Sequence, residues 1–239
     1  RAPGLIERFW EVVAHHRVAS FSGVPTVYAG LLQAPMEGLD LSCLDYAVCG
    51  AAPMPVELLN TFESRTGMRM LEGYGLTEST AVASLTPAYG KPCIGSIGLR
   101  LPWERMRTVL LDEDGAYVRD AAVDEIGVVA LSGPNVFPGY LSEAHNASAW
   151  IEVPGEGRWL NTGDLARRDA DGYFWLTGRK KELIIRGGHN IDPKVIEEAL
   201  AAHPAVALSA AVGRPDAHAG EVPVAYVQLQ QAGSASEAE

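Results

Sequence analysis

Residues 18–72 alternate short apolar runs with helix-type stretches, and this order constrains the fold more than any other feature. Residues 18–22 (Val-Ala-Ser-Phe-Ser), 45–49 (Asp-Tyr-Ala-Val-Cys) and 69–71 (Arg-Met-Leu) have the length and character of strands. Between them, residues 26–32 open near Pro25 and residues 56–65 follow Pro55, so both read as helices. A strand–helix–strand–helix–strand order predicts parallel pairing with helical crossovers, an α/β arrangement. In such sheets ligands sit at the carboxyl ends of the strands. Two loops fall there. Gly50-Ala51-Ala52-Pro53 has no bulk, so a flat ligand can lie against its backbone. The run 72–79 (Glu-Gly-Tyr-Gly-Leu-Thr-Glu-Ser) flanks Tyr74 with Gly73 and Gly75. Tyr74 is suited to stack on a base, and the Thr77 hydroxyl to meet a phosphate. Glu78 is suited to hold Mg²⁺, which prefers carboxylate and phosphate oxygens. The same eight residues also read as a tight turn carrying a surface acid.

The rest of the chain has a different grain. Upstream, Leu5, Ile6, Phe9, Trp10, Val12 and Val13 carry helical periodicity. From residue 91 helix patterns vanish, and Gly and Pro punctuate short apolar runs at 108–111 and 127–131. The turns 112–115 and 169–172 are of hairpin type, so the section 91–178 predicts a small distorted β-barrel. The second turn imitates the start of a calcium loop but lacks the later acidic ligands. Ile184 and Ile185 read as a strand. Asp192 and Pro193 then cap a helix running to about residue 202, and 206–212 and 222–229 read as strands. This last part predicts a small α+β unit, truncated at its end. The charged step Arg179-Lys180-Lys181-Glu182 lies between the units, where a hinge is expected. The expected division is therefore 1–178, with 1–90 α/β and 91–178 β-rich, a hinge at 179–182, and a small domain at 183–239.

Composition narrows the function. The net charge of −11 argues against nucleic acid and against an anionic membrane surface. No apolar run approaches the ~20 residues that span a bilayer. The three cysteines, Cys43, Cys49 and Cys93, show no metal-type spacing and read as reduced thiols of a cytoplasmic protein. The six histidines share no metal spacing, and no G-x-S-x-G elbow occurs, which leaves a hydrolase poorly supported. The sequence starts at Arg1 and ends in a polar tail, and reads as a piece of a longer chain.

Several motifs occur together in register. They are Gly50-Ala-Ala-Pro53, Glu72-Gly-Tyr-Gly-Leu-Thr-Glu-Ser79, Gly133-Pro-Asn-Val136 with Gly139-Tyr140, Asn161-Thr-Gly-Asp164, Gly172-Tyr173, Gly178-Arg179 and Gly187-Gly188-His-Asn190. In this order and spacing the chain resembles the adenylate-forming superfamily of acyl-CoA synthetases, luciferases and peptide-synthetase adenylation domains. The run Lys181-Glu-Leu-Ile-Ile-Arg-Gly-Gly-His-Asn-Ile-Asp-Pro193 is similar to fatty-acid and aromatic-acid CoA ligases. The resemblance covers essentially the whole chain. It implies the C-terminal part of a large adenylating domain, α/β plus distorted barrel, followed by an incomplete small domain.

The resemblance also implies roles. A carboxylic acid would react with Mg-ATP to give acyl-AMP, and coenzyme A would then take the acyl group. Gly50, Ala51, Ala52, Pro53, Tyr74 and Gly75 would hold the adenine. Thr77 would contact phosphate and Glu78 would hold Mg²⁺. Asp164 would accept from the ribose hydroxyls, and Arg179 would reach the ribose region as a further nucleotide-binding residue. Lys181 falls at the hinge, and Gly187 and Gly188 would line the pantetheine passage. Phe21, Val24, Val27 and Tyr28, with no Lys or Arg among residues 21–32, suit a medium-chain fatty acid or an aromatic acid. Four departures stand out. No Gly/Ser/Thr-rich phosphate loop is present, and the last lysine is Lys194, so the family's C-terminal adenylation lysine is missing. Glu72 replaces a frequent amide, and Val195 a frequent glutamate. The competing reading is a non-catalytic nucleotide- or CoA-binding module of the same fold.

Overall fold

The alternating segment folds as its order requires. In the computed structural model, which describes residues 4–91, 93–179, 182–187, 189–216 and 218–231, three sheets follow one another along the chain. The first holds β1 (Ser20–Gly23), β2 (Tyr46–Cys49), β3 (Arg69–Tyr74), β4 (Ser84–Leu85) and β5 (Leu99–Arg100), side by side in that order. β1, β2 and β3 are parallel, and β4 and β5 add on antiparallel. The crossovers contain α2 (Pro25–Leu31) and α3 (Val56–Thr66). The preceding helix, α1 (Phe9–His16), is shorter than its apolar pattern predicts. Residues 4–8 form turns, and Ile6 still packs on the core while Leu5 faces solvent.

Trp10, Tyr28, Leu31, Phe62 and Met70 form the centre of this unit's core. Its polar atoms are satisfied inside: Trp10 Nε1 donates to Leu31 O at 3.0 Å and the Tyr28 hydroxyl to Val48 O at 2.5 Å. Buried tryptophan and tyrosine need such partners, because an unpaired polar group in the interior is costly.

The β-rich section forms a six-stranded antiparallel sheet. Its members are β6 (Arg105–Leu111), β7 (Tyr117–Asp120), β8 (Gly127–Ser132), β9 (Trp150–Val153), β10 (Gly157–Arg168) and β11 (Phe174–Arg179). The order is β11-β10-β8-β6-β7, with β9 on β10. Register shifts interrupt β10 on both sides, which supplies the distortion expected of this section. A short α4 (Glu143–Asn146) precedes β9.

The third sheet holds β12 (Ile184–Arg186), β13 (His189–Ile191), β14 (Val206–Asp216) and β15 (Gly220–Leu229), in the order β13-β12-β15-β14. α5 (Pro193–Ala201) lies against β14. Asp192 caps it as the sequence predicts, accepting from Lys194 N at 2.9 Å. Among the described residues no helix is long and apolar enough to cross a membrane.

Candidate functional site

The two loops singled out by sequence meet at the carboxyl ends of β2 and β3. Gly50 follows β2, and a side chain there would stand 3.4 Å from Gly73 O. Ala51, Ala52 and Pro53 are exposed, and Ala51 takes a left-handed φ of 66°. The loop after β3 is tight. Thr77–Ser79 form one 3₁₀ turn, Ala81 N donates to Leu76 O, and Ala83 N returns to Tyr74 O at 2.8 Å. Only glycine fits at 75, where a Cβ would lie 2.0 Å from Ala81 O.

Asp164 joins this loop to the second sheet. It follows Thr162 and Gly163 at the register shift within β10, where side chains hold the backbone: Asn161 Oδ1 accepts from Gly163 N, and Thr162 Oγ1 from Asp164 N. Asp164 is 5% exposed. Its Oδ2 accepts from the Tyr74 hydroxyl at 2.6 Å, and its Oδ1 from Arg179 Nε at 2.7 Å. Burial, and then the Asp164 charge, push the Tyr74 phenol far above its usual range. Tyr74 is thus a permanent donor to a carboxylate 90 residues away.

The expected cation ligand has its own support. Glu78 Oε1 accepts from the Tyr140 hydroxyl at 2.5 Å, and Glu78 O accepts from Phe137 N at 2.8 Å. Tyr140 packs edge-on against Phe137. Beneath the same turn, Asn135 Nδ2 bridges Ser79 O at 3.1 Å and Glu104 Oε2 at 3.0 Å. Glu104 is 2% exposed, and burial raises its carboxyl to about 7. The Asp164 signal was readable in Thr-Gly-Asp. Tyr140 belongs to the Gly139-Tyr140 pair, whose sequence carries no mark of a contact with Glu78, and Glu104 reads in sequence as an ordinary surface acid. No local signal ties either of them to the loop.

The structure therefore brings Tyr74, Asp164 and Arg179 together, sets Gly50 beside Gly73, and holds Glu78 through Tyr140. Thr77 is exposed on the same turn. Glu72 sits within β3, buried, with Oε2 accepting from Gly95 N at 2.8 Å. Burial raises its carboxyl above the ordinary value. Gly187 stands apart from these residues, at the rim of an open pocket of about 490 Å³ with Arg186, His189, Ile191, His218 and Ala219. Lys181 and Gly188 lie outside the described residues. Of the side chains expected near an acyl group, Tyr28 instead belongs to the core, fully buried and bonded to Val48 O.

A parallel sheet with a glycine-bounded Tyr-Gly-Leu-Thr-Glu loop and a buried aspartate at its carboxyl end is the arrangement of an adenylate-forming enzyme. The chain belongs to the AMP-binding enzyme family, which matches residues 2–141, and the AMP-binding enzyme C-terminal domain matches residues 195–239. It is 52% identical over 229 residues to a marinolic acid–CoA ligase of Pseudoalteromonas sp., covering 96% of this chain and 34% of that protein. A long-chain-fatty-acid–CoA ligase of Bacillus subtilis is 36% identical over 226 residues, covering 94% of this chain and 39% of the relative. Among solved structures, the o-succinylbenzoate coenzyme A synthetase of Bacillus subtilis, in complex with ATP and magnesium ion, superposes with a TM-score of 0.80 at 30% identity. That match covers 98% of this chain and 46% of the other. The chain thus spans roughly a third to under a half of the length of these proteins.

Proposed function

We propose that this chain is the nucleotide-closing part of an ATP-dependent, AMP-forming acid–CoA ligase. The observation that carries the reading is the Asp164 carboxylate, buried and held by Tyr74 and Arg179 beside a Thr-Glu loop at the end of β3. An ionised carboxylate is acceptor-only, so a ribose diol is the natural donor to it. The Gly50–Pro53 loop offers backbone and small side chains to adenine, with Tyr74 against the base. Thr77 donates to phosphate.

Two half-reactions follow. A carboxylate oxygen of the acid attacks the α-phosphorus of ATP, and the bond to pyrophosphate breaks. The thiol sulfur of coenzyme A then attacks the acyl carbonyl, its proton is lost, and AMP leaves. Positioned charge against the negative phosphoryl transition state is the main requirement of the first step. Glu78 suits Mg²⁺, since it offers hard carboxylate oxygen beside a phosphate-binding turn and is held in place by Tyr140. The bound ion would neutralise phosphate charge; the chain's task is to hold it.

Thioester formation needs a different surface at the same centre, so the unit after residue 182 turns about a hinge at 179–182 that includes Lys181. Gly187 and Gly188 then leave space for pantetheine. Phe21 and Val27 pack on the core of the first unit beside Tyr28, and the apolar character of this segment supports our assignment of the acid as a medium-chain fatty acid or an aromatic acid. The three free cysteines match a reducing, cytoplasmic location.

Calorimetric titration of the purified chain with a non-hydrolysable acyl-adenylate analogue tests the reading. Saturable binding that Asp164→Ala abolishes, with the circular dichroism spectrum unchanged, is expected. Equal binding by both proteins would remove Asp164 from the site and overturn the assignment.

A further inference from the structure

The turn that carries Thr77 and Glu78 ends in a disfavoured shape. Thr80 and Ala81 follow it with φ of 56° and 79°, both in the left-handed region and neither a glycine. Residues with a Cβ rarely adopt that region, so the surroundings must hold it. The segment after β8 supplies the hold. Asn135 Nδ2 donates to Ser79 O, Thr80 Oγ1 donates to Asn135 O at 2.7 Å, and Phe137 N donates to Glu78 O. The side-chain part of this clasp leans on Glu104, whose Oε2 accepts from Asn135 Nδ2 at 3.0 Å.

Two atoms of that contact have no partner. Glu104 Oε1 and Asn135 Oδ1 are buried and unbonded among the described residues. Both residues close round Gly133, where a Cβ would lie 2.9 Å from Asn135 Oδ1 and 3.2 Å from Glu104 Cα. An ionised carboxylate has no donor and leaves both oxygens bare, which is costly in the interior. A protonated carboxyl has one donor. Placed on Oε1 it serves Asn135 Oδ1, as Nδ2 serves Oε2, and one proton satisfies both orphans. The neighbouring charges are engaged elsewhere or stand in the open. Arg100 donates to the Glu104 main-chain carbonyl, Arg105 and Arg107 pair with Glu156, and Arg107 also pairs with Asp120. Arg168 is exposed at an open pocket it shares with Glu104, and Glu78 is bonded to Tyr140. The rise of the Glu104 carboxyl to about 7 through burial agrees with a neutral acid here.

We propose that Glu104 is a positioning residue: as a neutral acid paired through both oxygens with the Asn135 amide, it holds the Thr77–Glu78 turn in the shape that takes a ligand. Loss of the proton sets Oε1 and Oδ1 against each other as two bare acceptors. The amide then turns away, Ser79 O loses its donor, and the strained exit of the turn relaxes. The acid–amide pair stands on the buried contacts alone. Its link to ligand binding rests on the adenylate reading above.

Two measurements on the purified chain test this in wild type, Glu104→Gln and Glu104→Leu. Glutamine offers the Asn135 amide one acceptor and one donor at any pH, and leucine offers neither. The first measurement is hydrogen exchange without ligand, corrected for the intrinsic effect of pH, between about pH 6 and about pH 8.5. Protection of the Thr80 and Ala81 amides, relative to the amides of β2, should fall several-fold across this range in wild type and stay constant in Glu104→Gln. The second is calorimetric titration with the non-hydrolysable acyl-adenylate analogue over the same range, with circular dichroism at each pH. Wild type should lose affinity several-fold above neutral pH. Glu104→Gln should keep the affinity that wild type has on the acid side, and Glu104→Leu should bind more weakly throughout; if the leucine variant does not fold, the glutamine comparison decides. The same pH response of exchange in wild type and Glu104→Gln would overturn the pair. A difference in exchange with no difference in the pH dependence of affinity would overturn its positioning role. If wild type binds no analogue at any pH, the adenylate reading fails, and the exchange comparison still decides the pair.

Discussion

Glu104 shows how a single buried acid can make the stability of a fold depend on pH. Its carboxyl is raised from 4.5 to about 7, mainly because burial disfavours the charged form, with the Asn135 hydrogen bond opposing. Oε1 has no hydrogen-bond partner within the described residues. Between pH 4.5 and 7 the folded chain therefore holds a proton that the unfolded chain has released. Stability falls as pH rises through that window and levels off above it. Glu104→Gln removes the titration. Urea unfolding midpoints of the variant should track wild type near pH 4.5 and exceed it by pH 8, by on the order of 2 kcal/mol. Parallel profiles across the range would show that Glu104 is charged at no cost. No local signal marks this residue, because an isolated glutamate between Trp103 and Arg105 reads as solvated; only the chain's return at Asn135 brings a partner to it. The Tyr140–Glu78 and Tyr74–Asp164 bonds were hidden for the same reason, joining residues 62 and 90 positions apart.

At the scale of elements, much was legible where local chemistry and position agree. Asp192-Pro193 marks the start of α5, and the strand–helix alternation marks β1 to β3 with parallel register. The last hairpin was read too short. β14 continues through Pro215 to Asp216, which is tolerated because β14 is an edge strand and needs no donor on its open side. Glycines were legible as loop markers but not in their reasons. Gly67 ends α3 with a φ of 70° and open space around its α-carbon. Gly75 is excluded from any substitution by backbone 2.0 Å away. Gly67→Ala should therefore cost about 1 kcal/mol through backbone strain alone and leave ligand binding intact. Gly75→Ala must open the 75–81 turn, cost roughly 1–3 kcal/mol, and abolish adenylate-analogue binding. Thermal melts paired with the same calorimetric titration compare them; equal behaviour of the two variants would mean the 75–81 turn does not shape the site.

Over the whole molecule, the three sheets divide the labour that the proposed reaction needs. The first sheet presents Tyr74, Thr77 and Glu78, the second presents Asp164 and Arg179, and the third carries Gly187. In the proposed reading the adenine and ribose side of an adenylate would be contacted from two sheets, while nothing on the chain matches a phosphate loop and no lysine follows Lys194. In that reading the pyrophosphate leaving group would have Thr77 and a cation held by Glu78, but no lysine of a phosphate loop or of the C-terminal end to meet the charge that develops on it. Adenylation gains its rate mostly from such preorganised charge, whereas binding of a finished adenylate needs only the acceptors and the base platform. The two capacities should separate. The purified 239-residue chain should bind an acyl-adenylate analogue yet give no ATP–pyrophosphate exchange above a no-enzyme control. Exchange that is lost in Asp164→Ala would mean that the residues present suffice for phosphoryl transfer, and that the division of labour proposed here places too much weight on the missing lysine.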